Sequence, residues 1–218
     1  MAEDTPSLTD YDNYINRLFA PEDETLKDTL AAMDAAGLPS IQVSPNQGKL
    51  LYLLALIHGA KRILEIGTLG GYSTTWLARA LPAGGILISL ELEAHHADVA
   101  RDNIARAGLS DRVEIRTGPA AESLRAMIAA GESAFDLVFI DADKPSYVEY
   151  LELSLQLVRP GGLILGDNAL SHNALSESSE SPMHCYNTAV ATHPELESVI
   201  VPALKNGVDG LVISRKRL

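Results

Sequence analysis

The spacing of apolar positions changes character along this chain, and each change marks a different kind of element. Over the first stretch Tyr11, Tyr14, Ile15, Leu18 and Phe19 recur at helical spacing, which predicts an amphipathic helix from Tyr11 to Phe19. A second helix is expected from Glu22 to Ala36, stopped by Gly37. Ser44-Pro45 combines an N-cap hydroxyl with a proline at the first helical position, and so predicts a third helix running to about His58. No linker follows. The opening helices therefore read as a cover (1–45) over a core (46–218) within one domain.

From Arg62 onward short apolar runs alternate with helical stretches. Arg62–Ile66, Ile86–Leu90, Val113–Arg116, Phe135–Ile140 and Leu163–Leu165 read as strands. Between them, helices are expected over Thr74–Ala80, Ala94–Ala107, through Leu124 to Ala129, and from Pro145 to about Val158. The run Phe135–Ile140 suits a central parallel strand covered on both faces. Arg159-Pro160-Gly161-Gly162 is expected to be a turn. The repeated βα unit predicts the α/β class, with a doubly wound, mostly parallel sheet. In the tail, Val199–Val201 and Leu211–Ser214 are strand-like and joined by a loop containing Asn206-Gly207 and Asp209-Gly210, an antiparallel hairpin. The polar stretch between Ala169 and Pro194 predicts no definite element, and no internal repeat is found.

Composition narrows the partners more than the fold. With 218 residues, 46% apolar and 21% charged, the chain suits one ordinary globular domain. A net charge of −12 repels phosphate backbones and argues against nucleic acid. One cysteine, Cys185, precludes an intrachain disulfide. The first six residues are acidic and polar, without the basic and apolar regions of a secretory leader. The longest apolar run, Leu50 to Ala60, contains His58 and Gly59 and falls short of a membrane span. A soluble cytoplasmic protein with no membrane partner is expected.

Ligands of open α/β sheets bind beyond the carboxyl ends of the strands, so the polar residues at those ends matter most. The first is Glu65-Ile-Gly-Thr-Leu-Gly-Gly-Tyr-Ser73, whose G-x-x-G-G differs from the G-x-G-x-x-G of dinucleotide enzymes. A sulfonium nucleoside carries no phosphate and needs only a tight turn with room for its amino-acid portion. Glu65 is placed to accept from the ligand's ammonium, directly or through water. Ser73 and the amides of Gly67 and Thr68 can meet its carboxylate, and Gly71 and Tyr72 complete the candidate turn. The plainer alternative is glycines that merely make a tight βα turn. Glu91 ends the second strand 24 residues after Gly67, where an acid can chelate the two ribose hydroxyls. Alone it would read as a solvated carboxylate, and a ribose belongs equally to a nicotinamide cofactor and to S-adenosylmethionine.

Asp141 follows Leu137–Ile140, and Asp167-Asn168 follow Leu163–Gly166. On adjacent parallel strands these three oxygen-bearing side chains would converge, and two carboxylates so close repel unless a cation or proton intervenes. All-oxygen ligation suits Mg²⁺, Mn²⁺ or Ca²⁺ rather than zinc. Capping of loops and helix starts is the alternative use of such residues.

Together Arg62–Thr74, Phe135–Lys144 and Arg159–Asn168 resemble the metal-dependent catechol and caffeoyl-CoA O-methyltransferase family, the resemblance running from about Val43 onward. It implies a Rossmann-like class I methyltransferase fold, seven strands with the last antiparallel. It implies S-adenosylmethionine contacts at Val43, Glu65, Gly67, Thr68, Ser73, Glu91, Ala120 and Asp141, and divalent-metal ligands at Asp141, Asp167 and Asn168. Lys144 matches the family's proposed general base, where the residue pattern alone would suggest a solvated helix-start lysine. The acceptor implied is a small aromatic with vicinal hydroxyls. A homodimer is also expected, from the resemblance and from the apolar Tyr14, Leu18 and Phe19.

Two departures stand out. Ala169-Leu-Ser-His-Asn173 replaces the aromatic residue and glycines that often follow the metal-binding Asp-Asn in caffeoyl-CoA enzymes, which argues against a coenzyme A ester. Ala142-Asp143 replaces the bulky residues of catechol-type enzymes and implies a wider, more polar acceptor pocket. Among the remaining candidates, His95 and His96 read as solvated. His172, His184 and Cys185 match no zinc spacing, and Trp76 and Leu77 read as helix core. A nicotinamide oxidoreductase and a non-catalytic ligand-binding protein remain the competing classes.

Overall fold

A computed structural model describes residues 5–171, 174–176, 181–204 and 207–218. The chain opens with α1 (Leu8–Phe19), α2 (Glu24–Ala35) and α3 (Pro45–His58). Ser44 caps α3, its side chain accepting from the Gln47 amide, and Gly59 ends it in the left-handed conformation at φ 67°. A glycine takes that backbone geometry without a Cβ penalty.

Seven strands follow: β1 (Arg62–Ile66), β2 (Ile86–Glu91), β3 (Val113–Thr117), β4 (Phe135–Ile140), β5 (Val158–Gly166), β6 (Leu196–Leu204) and β7 (Val208–Lys216). They form one sheet in the order β3-β2-β1-β4-β5-β7-β6. β1 to β5 pair in parallel, whereas β7 runs antiparallel between β5 and β6. Interleaved are α4 (Tyr72–Arg79), α5 (Ala94–Arg106), α6 (Ala120–Ala129), α7 (Tyr147–Leu157) and α8 (Pro182–Thr192), with a short 3-10 turn at Lys144–Ser146 leading into α7.

Side chains alternate across the strands and so divide the core in two. Ile63, Leu87, Leu137, Phe139, Leu165 and Leu211 pack with α2 to α5. Leu64, Ile66, Leu90, Val138, Ile140 and Ile164 pack with α6 to α8 on the other face. From β1 the chain steps outward to β2 and β3, then returns to place β4 on β1's other side. That reversal opens a cleft at the carboxyl ends of β1 and β4, the usual place for a ligand. Among the described residues no helix is long and apolar enough to cross a membrane.

Two expectations change. Arg159-Pro160-Gly161-Gly162 is not a turn before the strand but a bulge within β5: Phe135 pairs with Val158, and the register resumes with Leu137 opposite Leu163. Asp136 holds the extra residues in place. It accepts from Arg159 Nε at 2.7 Å and from the Lys61 and Arg62 amides at 2.7 and 2.9 Å, so the strand swells without breaking. Likewise Asp209-Gly210 belongs to β7, opposite Ala203 and Pro202, rather than to the hairpin loop. Gly210 is drawn into the sheet because the Ala169 amide donates to its carbonyl at 2.8 Å. Asn206 of the expected loop lies outside the described residues. The stretch after Ala169 contains α8, opened by Pro182 at its first turn; His172 and Asn173 lie outside the described residues.

Candidate active site

At the end of β1 the chain turns so tightly into α4 that glycine is required. Gly67 sits at φ 98°, and a Cβ there would lie 2.0 Å from the Asp141 carbonyl oxygen. Only a bare backbone lets the ends of β1 and β4 approach this closely. The turn is then tied to β2 by Glu91, whose Oε2 accepts from the Thr68 and Leu69 amides at 3.1 and 2.7 Å. Its Oε1 accepts from the Glu93 amide at 2.9 Å. Glu91 thus shapes the loop that it also helps to expose.

The cleft has two lobes of about 500 and 470 Å³, which share Ile41, Gly67, Leu69, Asp141 and Ala142. Of the sequence candidates, Val43, Thr68, Tyr72, Ser73, Lys144 and Asn168 line the first lobe, and Glu91 and Ala120 the second. Three candidates stand behind the walls. Gly71 starts α4 at φ 85° and contributes backbone shape. Glu65 and Asp167 are buried at 0% and 1% exposure.

A direct contact between Glu65 and a ligand ammonium is therefore not what this geometry offers. Its carboxylate accepts from Ser73 Oγ at 2.6 Å, Thr74 Oγ1 at 2.5 Å and Ser89 Oγ at 2.7 Å. Ser73 stands between it and the cavity. Burial outweighs these three hydroxyl donors and pushes the Glu65 carboxyl up to about 7. The folded protein then keeps a proton that the unfolded chain releases near 4.5. The stabilisation is full below that value and is lost as pH rises through 7. For a shift of this size the loss is about 3 kcal/mol. Thermal denaturation of the ligand-free chain between pH 5 and 8 is expected to show this fall together with that from Asp167, whose carboxyl is raised to about 7 as well, and Glu65→Gln to remove its own share; an unchanged slope in the variant would exclude Glu65 as a source.

Past β4, Lys144 Nζ donates to Asp141 Oδ1 at 3.0 Å and to Tyr147 Oη at 2.8 Å. Tyr147 in turn donates to the Ile140 carbonyl at 3.3 Å. Past β5, Asp167 receives Gln47 Nε2 on one oxygen, while its Oδ2 is buried without a hydrogen-bond partner. Burial and the charge of Asp141 push the Asp167 carboxyl up to about 7. Asn168 adopts φ 59°, a conformation its short amide tolerates, and donates through Nδ2 to Asp209 Oδ2 at 2.8 Å.

An orphaned carboxylate oxygen beside a second carboxylate is an arrangement that a hard cation satisfies. The residues present fit a divalent metal. Among the described residues no group of three or more His, Cys, Asp or Glu gathers as a metal site. The candidate set is instead two carboxylates and an amide; His172, which would join His184 and Cys185, lies outside the described residues. Sequence reasoning missed Gln47, Tyr147 and Asp209. Only Tyr147 carried a local signal, three residues after Lys144 and so one helical turn away.

A family model described as O-methyltransferase matches residues 17–217. The chain is 51% identical over 172 residues to a catechol O-methyltransferase of Niastella koreensis, covering 78% of each. It is 41% identical over 217 residues to a catechol O-methyltransferase of Mycobacterium tuberculosis, covering 97% of each. An O-methyltransferase from Bacillus cereus, solved in complex with SAH, superposes with a TM-score of 0.91 at 42% identity, over 95% of this chain and 97% of that one.

Proposed function

The chain belongs to the O-methyltransferase family, and from that premise we propose that it moves the methyl group of S-adenosylmethionine to one hydroxyl of a small catechol-like aromatic, with a divalent cation held by Asp141, Asp167 and Asn168. Mg²⁺ is the first choice, and Mn²⁺ or Ca²⁺ the alternatives. Membership removes the nicotinamide alternative. The observation that carries the reading is Asp141, which borders both lobes of the cleft. One residue there can face the methyl donor, the cation and the acceptor together.

In this reading the amino-acid end of the donor lies beside the Gly67–Thr68 turn. The two amides of that turn are not the donors expected from the sequence, because they are held by the Leu90 carbonyl and by Glu91. Ser73 Oγ, its hydrogen given to Glu65, accepts from the ammonium, and Val43 and Tyr72 wall the ligand. Glu91 takes the ribose hydroxyls and Ala120 flanks the nucleoside. The cation, when bound, polarises the oxygens that it touches and lowers the cost of ionising one of them. Lys144, in its amine form, takes the hydroxyl proton. The oxygen forms a bond to the methyl carbon as the carbon–sulfur bond breaks, releasing S-adenosylhomocysteine. Holding the two substrates in line supplies much of the acceleration, because the sulfonium is already a reactive donor. Incubation with S-adenosylmethionine, Mg²⁺ and a panel of vicinal diols should add one CH₂ of mass to at least one diol. A chain that binds S-adenosylhomocysteine but methylates none of them would favour a non-catalytic ligand-binding role.

Glu91→Ala is expected to weaken S-adenosylhomocysteine binding by about 1.5–3 kcal/mol or more, the range for hydrogen bonds to a charged group. Freeing the two loop amides adds to the loss. Calorimetry showing unchanged affinity in a folded variant would remove Glu91 from the ribose.

A homodimer belongs to the same proposal. α1 buries none of its residues against its own chain. It leaves Tyr14, Leu18 and Phe19 exposed, and α3 exposes Ile57 at 83%. Large apolar side chains left exposed on two helices are what an association face supplies. Light scattering at micromolar concentration should return twice the chain mass, and a monomer mass would refute it.

A further inference from the structure

Gln47 sits where its side chain has a ready local use. It lies three residues after the N-cap Ser44, the S-x-x-Q spacing of a capping box, in which the glutamine reaches back to the cap amide. α1 completes such a box between Ser7 and Asp10. In α3 only half is made. Ser44 Oγ accepts from the Gln47 amide at 3.3 Å, but the Gln47 carboxamide is turned away, across 120 positions of sequence, to donate to Asp167 Oδ1.

Both partners are buried, Gln47 at 2% and Asp167 at 1% exposure. The contact divides the two carboxylate oxygens: Oδ1 is occupied by the amide and Oδ2 has no partner. A neutral amide can fix the orientation of a carboxylate without cancelling the charge that attracts a cation. A lysine or arginine in the same place would not. We propose that Gln47 is the positioning residue of the cation site, holding Asp167 by Oδ1 so that Oδ2 is the oxygen offered to the metal. This rests on the reading of Asp141, Asp167 and Asn168 as the ligand set.

The test measures metal binding apart from turnover. The full chain is titrated with Mn²⁺, with free Mn²⁺ read by electron paramagnetic resonance, and S-adenosylhomocysteine affinity without metal is measured by calorimetry. Gln47→Met keeps the side-chain length without a donor; Gln47→Asn keeps the amide but falls one methylene short. Both are expected to raise the Mn²⁺ Kd about 10–100-fold, as loss of a partner that orients a ligand does. Metal-free S-adenosylhomocysteine affinity should stay within about twofold, since Gln47 does not border the cavity. Wild-type Mn²⁺ affinity in a variant that still binds S-adenosylhomocysteine would overturn the role of Gln47 alone. Parallel loss of both ligands in both variants would show a merely structural part for Gln47. Failure of the unaltered chain to bind Mn²⁺ would remove the ligand set and the proposal with it.

Discussion

Chelation with EDTA is expected to abolish methylation of a catechol by this chain, and excess Mg²⁺ or Mn²⁺ to restore it. The expectation comes from the two carboxylates at the ends of β4 and β5. Lys144 neutralises Asp141 at 3.0 Å, but Asp167 keeps an orphaned oxygen in a buried setting, where an unpaired charge costs several kcal/mol. A cation that both stabilises that charge and polarises the acceptor is worth several kcal/mol in rate, about a thousandfold or more. Asp167→Ala should lose turnover on that scale yet still bind S-adenosylhomocysteine, because Asp167 stands behind the cavity wall. Asp141→Ala should impair both, since it borders both lobes. Full turnover after exhaustive dialysis against chelator would leave the methyl-donor assignment and remove the metal.

Replacing Lys144 by Met should lower kcat about 10²–10⁴-fold, the usual contribution of a positioned general base, and leave S-adenosylhomocysteine affinity within about twofold. Lys144 borders the first lobe with a third of its side chain exposed, so it can reach an acceptor there. It also balances Asp141, which makes a second role conceivable. Saturating Mg²⁺ separates the two. If Lys144 only neutralised Asp141, abundant cation would restore the rate; a lost base stays lost. Initial rates across a Mg²⁺ titration decide it, and recovery to within threefold of wild type would end the assignment.

What could be read in the chain was whatever neighbouring residues decide between themselves. α3 begins and ends where Ser44-Pro45 and Gly59 dictate, and β1 and β4 match their apolar runs because both faces of those strands are buried. Segments governed by distant partners were read less well. Arg159–Gly162 has the composition of a turn, and Asp136, bonded to Arg159 and to the Lys61 and Arg62 amides, helps to keep it in the sheet. Asp209-Gly210 has turn chemistry too, yet Asn168 and Ala169 hold it in β7. The site shows the same division. Asp141, Lys144, Asp167 and Asn168 stand at strand ends that local pattern locates. Gln47 and Asp209 support them from remote sequence, and Gln47 carried a local pattern with another meaning.

The order of the strands in space differs from their order in synthesis. β7 is made last of the seven, yet it lies inside the sheet, bonded to β5 on one side and β6 on the other. While a ribosome is still extending the chain, β5 is an open edge of unpaired N–H and C=O groups, the kind that invites pairing with other chains. The same delay applies to chemistry, because Asp209, which holds the Asn168 amide, arrives on β7. A nascent chain stalled before Val208 would carry the Gly67–Ser73 turn complete beside an Asn168 side chain still without its Asp209 partner.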